Sequence, residues 1–92
     1  MSSNTSQIVT ICNQRGLHAR AASKFVRLAE TFEADIVVNK AGTEVPGQSI
    51  MGLLMLAAGP GTDIEIRANG PAAAAAVAAL VGLVESRFGE EE

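Results

Sequence analysis

Neither tryptophan nor tyrosine occurs in the 92 residues, and phenylalanine occurs three times. Stacking platforms for bases are therefore scarce, and with ten acidic residues against seven basic ones there is no basic stripe either. Broad nucleic-acid binding is not expected of such a chain. One cysteine, Cys12, excludes an internal disulfide and suits a reducing compartment, so a cytoplasmic location is expected. Cys12 itself reads as a small strand residue, because free cysteine packs as a hydrophobe. No Cys/His cluster has the spacing of metal ligands, so neither a metal nor a cofactor is expected. The longest apolar run, Pro71 to Val84, is too short and too rich in alanine to cross a bilayer, and no secretory signal opens the chain.

What is present reads as one domain over residues 1–92, with 1–6 and 90–92 expected to be flexible. Gln7 to Cys12 is strand-like, with Val9 and Ile11 assigned to the core. Ala22, Phe25, Val26, Ala29 and Phe32 recur at helical spacing and predict a helix from Ala19 to about Thr31. Ala34–Asn39 alternates, Ala41-Gly42 turns the chain, and Thr43–Val45 returns as a short strand that Pro46 marks as an edge. Ser49 is a suitable cap for a short helix, Ile50 to Ala57. Asp63–Ala68 places Ile64, Ile66 and Ala68 on one face. The last helix starts near Pro71 and buries Val77, Leu80, Val81, Val84 and Phe88, and the acidic tail beyond it is expected to be solvated. The order βαββαβα predicts an α+β fold: a two-layer open-faced sandwich of a four-stranded antiparallel sheet with three helices on one face.

Chemistry concentrates at Gly16-Leu17-His18-Ala19-Arg20, which holds the only histidine. No Ser, Thr, Asp or Asn stands before Ala19, so the first amides of the helix lack a common cap. A helix start with free N–H groups and a positive dipole end attracts anions. Arg20 adds a permanent cation in the first turn, and Gly16 lets the chain turn into the site. An imidazole in this setting suits a phosphoryl-accepting nucleophile. The alternative reading makes His18 an unusual cap and Arg20 a solvated side chain.

Gly16-Leu17-His18-Ala19-Arg20 resembles the active-site signature of HPr, the histidine-containing phosphocarriers of the bacterial phosphoenolpyruvate-dependent phosphotransferase system. Gln48-Ser49-Ile50-Met51-Gly52 resembles the regulatory-serine segment of the same family, and the two stand at the family's separation. The resemblance covers essentially the whole chain after its first few residues. It implies a phosphocarrier rather than a conventional enzyme. Enzyme I would phosphorylate His18 on Nδ1, with Arg20 and the amides of Ala19 and Arg20 holding the phosphate. The group would then pass to an Enzyme IIA-type histidine. Ser49 would be the substrate of HPr kinase/phosphorylase, and Ile50, Met51 and Leu54 a docking patch for partners. Neither nucleic acid nor membrane insertion is implied, and a monomer is expected. Two departures stand out. Ala21 replaces the usual proline, and Arg15 replaces a small polar residue, either adding a second cation near the phosphate or lying in solvent. The same fold also serves a regulatory, nitrogen-related phosphorelay without sugar transport, and non-catalytic regulatory proteins that can lack the histidine.

Overall fold

The β-branched and alternating segments form strands β1 (Ser3–Thr10), β2 (Asp35–Lys40), β3 (Thr43–Pro46) and β4 (Asp63–Gly70) in a computed structural model that describes residues 3–90. Helices α1 (Ala19–Ala29), α2 (Ile50–Met55) and α3 (Ala73–Glu85) lie between and after them, followed by one 3-10 turn, Arg87–Gly89. The sheet runs β1-β4-β2-β3, and every neighbouring pair is antiparallel. Its register puts Val9 opposite Ile64, Val38 opposite Ile66 and Ile36 opposite Ala68. Strand side chains alternate between faces, so these residues form one apolar surface. The helices cover that surface, giving the expected open-faced sandwich. Phe25 of α1 and Leu80 of α3 are fully buried in the shared core. Truncating Phe25 to alanine removes an aromatic anchor, a change that ordinarily costs about 3–5 kcal/mol.

The turn between β2 and β3 contains two residues, Ala41 and Gly42, both with positive φ. That pairing matches the twist of a tight hairpin, and the Gly42 N–H donates to Asn39 Oδ1 at 3.1 Å.

Several element boundaries differ from those the sequence predicts. Strand β1 begins at Ser3, because Ser3 to Ser6 pair with Gly70 to Arg67 instead of fraying. Met1, Ser2, Glu91 and Glu92, also expected to be flexible, lie outside the described residues. Cys12 lies past the end of β1 and is exposed, its thiol directed at the Val84 carbonyl, 3.4 Å away. Helix α1 stops at Ala29, and Phe32 is only half-buried. Helix α2 ends at Met55, since Ala57 adopts the left-handed conformation (φ 52°). Lys40 Nζ closes this end by donating to the Leu56 carbonyl at 2.8 Å. Helix α3 starts at Ala73, with Ala72 rather than Pro71 at its boundary. Phe88 is buried as expected but lies in the 3-10 turn, where Arg87 and Phe88 both have positive φ. Among the described residues, no helix is long and apolar enough to cross a membrane.

Candidate functional site

The site starts with a tight loop. Gly16 has φ +64°, and a Cβ there would come within 2.5 Å of the Ala58 carbonyl oxygen. Both the dihedral and the close approach require glycine. The next amide, that of Leu17, donates to the same Ala58 oxygen at 2.9 Å, and the Leu17 side chain is buried. The loop is thereby tied to the segment after α2. Asn13 closes it from inside: its buried side-chain amide donates to the Gly16 carbonyl at 2.8 Å.

His18 follows at the boundary of α1 in an extended conformation, with no side-chain cap on the helix. Its carbonyl accepts from Ala22 N–H at 2.8 Å, which leaves the amides of Ala19, Arg20 and Ala21 at the open end of the helix. The expected uncapped helix start is therefore present. Arg20 is exposed on this first turn and has no hydrogen bond or ion pair among the described residues. Ala21 is fully buried, so the position where the family usually has proline here packs a small side chain into the core.

The partner of His18 was not legible in the sequence. The expected solvated tail instead folds back after Phe88 and brings the Glu90 carboxylate against His18 Nε2. Glu90 Oε1 also accepts from Asn13 Nδ2 at 2.9 Å. Lys24 of α1 pins the turn from below, donating Nζ–H to the Phe88 carbonyl at 2.6 Å. Burial acts to raise the pKa of Glu90. The hydrogen bonds from Asn13 and His18 and the charges of His18 and Arg15 outweigh it, so the carboxyl lies below its ordinary value. Arg15 is thus close enough for its charge to act on this cluster, although its side chain is exposed. The only sequence signal for this arrangement was Phe88, an apolar residue carrying a helix pattern past its end. It implied an anchored tail but not where the following carboxylate would point.

With Nε2 facing a carboxylate, the neutral imidazole carries its proton on Nε2 and leaves the lone pair on Nδ1. Among the described residues, Nδ1 has no hydrogen-bond partner against it. His18 stands at the open N-terminus of α1, and Arg20 lies on the first turn of the same helix, features that in general favour an anion.

The second motif lies on α2. Ser49 caps this helix, its Oγ accepting from Gly52 N–H at 3.0 Å. Met51 is 69% exposed and Ile50 40%, while Leu54 is half-buried. Met55 at 77% is the more exposed member of this face. Sequence spacing missed it, because the apolar run through α2 does not reveal which residues turn outward. Helices α1 and α2 pack side by side.

Residues 5–86 match the family model described as the PTS HPr component phosphorylation site. The chain is 46% identical over 86 residues to the phosphocarrier protein HPr of Neisseria meningitidis, covering 94% of this chain and 97% of that one. It is 44% identical to the phosphocarrier protein NPr of Shewanella violacea, with 89% and 90% of the two chains aligned. Its backbone superposes on a crystal structure of HPr from Thermoanaerobacter tengcongensis with a TM-score of 0.91 at 40% identity, covering 96% of this chain and 99% of that one. The single histidine at an uncapped helix start thus sits within a whole-chain match, and the chain belongs to the HPr family of phosphocarrier proteins, components of the phosphotransferase system rather than catalysts in their own right.

Proposed function

We propose that His18 is the phosphoryl-accepting residue of this carrier, loaded on Nδ1 by Enzyme I and unloaded onto an Enzyme IIA-type histidine. The observation that carries this reading is the occupied Nε2: the ring is held by its other nitrogen, so the Nδ1 lone pair is available beside the helix start. In the acceptor step Nδ1 attacks phosphorus, and the phosphate oxygens meet the amides of Ala19 and Arg20 and the Arg20 guanidinium. Release to the next carrier reverses these contacts. No part of this needs a metal or an organic cofactor. The test is incubation with phosphoenolpyruvate and Enzyme I. Acid-labile phosphate should appear on His18 and be lost in His18→Ala, with circular dichroism confirming that the variant is folded. Phosphate retained in that variant would exclude His18.

Ser49 is the proposed regulatory site, a substrate for HPr kinase/phosphorylase. It heads α2 beside Ile50, Met51 and Leu54, the proposed docking patch, and Met55 extends that patch. A phosphoserine would bring roughly −2 charge next to this apolar surface and weaken docking of Enzyme I. Binding of Enzyme I to the Ser49-phosphorylated chain should be weaker than to the unmodified one, and equal affinity would exclude this role. The carrier would act in the cytoplasm as a monomer.

A second reading has a specific observation behind it. Identity to the Shewanella violacea NPr is nearly as high as to the Neisseria meningitidis HPr, which suits a carrier in the nitrogen-related phosphorelay. Preference between sugar-specific and nitrogen-related acceptors in a competition assay separates the two.

A further inference from the structure

The geometry points to Glu90 as the positioning residue of His18: its carboxylate holds the imidazole in the tautomer and orientation that present the Nδ1 lone pair for phosphoryl transfer. This inference rests on the reading of His18 as the phosphoryl acceptor.

Glu90 is locked in place by Asn13 and by the turn that carries it. The Asn13 side chain is fully buried, and its Nδ2 donates to two acceptors, the Gly16 carbonyl and Glu90 Oε1. Both partners accept hydrogen bonds, so they fix which end of the Asn13 amide faces them. Glu90 Oε1 is thereby committed to Asn13, and Oε2 is the oxygen that meets His18 Nε2. An ionised carboxylate can only accept, so the Nε2 position must carry the proton. The backbone leading to Glu90 is constrained as well. Phe88 is buried, its carbonyl is held by Lys24, and the Gly89 and Glu90 amides donate to Ser86 and Arg87 at 3.0 Å each. The carboxylate is therefore delivered by an anchored turn and is not a chance contact of a loose tail. A carboxylate behind a histidine fixes the tautomer and orientation of the ring while the opposite nitrogen acts.

The transfer balances without a further reactant. The Nδ1 lone pair forms the bond to phosphorus while the bond from phosphorus to the donor atom on Enzyme I breaks, and its electron pair leaves with that donor. The ring becomes cationic as Nδ1 is phosphorylated. The Nε2 proton stays between the ring and Glu90, whose negative charge offsets the cation. In the reverse direction the protonated ring leaves as a neutral imidazole.

Glu90→Gln gives a distinctive test because the Asn13 lock also sorts its amide. Asn13 Nδ2 requires an oxygen, so the new NH2 group faces His18 Nε2 and donates to it. The ring must then carry its proton on Nδ1, the wrong tautomer for attack. Nitrogen-15 chemical shifts of the unphosphorylated imidazole, at a pH where the ring is neutral, should report Nε2–H in the unmodified chain and a shift toward Nδ1–H in Glu90→Gln. Loading by Enzyme I and phosphoenolpyruvate should slow on the order of tenfold or more, the scale on which removing the carboxylate partner of a metal-bound histidine acts. Glu90→Asp, which keeps the acceptor, should hold the Nε2–H tautomer and recover most of the rate. Thermal melting of each variant accompanies these measurements. Unchanged nitrogen shifts and loading in Glu90→Gln would overturn the inference. So would a rate loss that follows melting temperature equally in the Gln and Asp variants while the tautomer stays put, since that is the mark of a mere anchor. If the unmodified chain takes up no phosphate, the reading of His18 as acceptor falls, and the nitrogen shifts still decide whether Glu90 governs the ring.

Discussion

Two clusters of charged side chains among the described residues are built in opposite ways. On the open face of the sheet, Arg67 pairs with Glu44 across the sheet and approaches Glu65 at 3.5 Å. The Arg67 and Glu44 side chains are 39% and 49% exposed. At the start of α1, His18 and Glu90 are 23% and 12% exposed, and a buried amide shares the carboxylate with them. The first cluster consists of long side chains meeting in water, where pairs contribute about 0–1 kcal/mol. The second is assembled by backbone geometry, with Gly16, Asn13 and the Phe88 turn each determining where a polar atom lies. Proximity of a basic to an acidic side chain is common to both. What distinguishes the site is that its partners cannot rearrange independently.

Breaking that rigidity should have the largest effect. Gly16→Ala forces a side chain into a left-handed dihedral and against the Ala58 carbonyl, and should destabilise the fold by about 3 kcal/mol in urea titration. An unchanged midpoint would show the loop to be more compliant than its geometry implies. Next comes Asn13→Ala, which strips a buried donor from the Gly16 carbonyl and from Glu90. A loss of about 2 kcal/mol is expected, together with slower loading of His18, because Glu90 loses its lock.

Acid bears on the cluster at the start of α1. Glu90 has a folded-state pKa below its ordinary value of 4.5. Its contribution to stability is present above that value and is lost as pH falls through the lowered pKa. The drop in stability on going below 4.5 should therefore be smaller in Glu90→Gln than in the unmodified chain, and parallel curves would refute the linkage. The smallest effect belongs to the open face. Arg67→Ala should cost under about 1 kcal/mol, shrink further in high salt, and leave phosphoryl loading unchanged.

The layers of the fold were legible because alternation in β2 and β4 and the three- and four-residue spacing in α1 report burial directly. The histidine was legible too, because an uncapped helix start after glycine is a local pattern. Glu90 was not, since it reaches His18 from 72 positions away through a turn with two non-glycine residues at positive φ. No periodicity encodes such a turn. Met55 was missed for a different reason: in a helix as short and apolar as α2, spacing alone does not separate the buried face from the exposed one. Ser3 to Ser6 looked frayed because their side chains are polar, yet β4 supplies the hydrogen-bonding edge that makes them a strand.

The strand order β1-β4-β2-β3 has a consequence for how the chain comes into being. The hairpin of β2 and β3 can close as soon as it leaves the ribosome, but β1 pairs only with β4. Thr10 meets Asp63, 53 positions later. At roughly 5–20 residues per second of synthesis, β1 waits several seconds for its partner. Until then Val9 and Ile11 remain uncovered, and the sheet cannot be completed from the amino terminus onward. Pairing of β1 with β4 is thus expected to be a late step of folding, set by closure of the long loop between them.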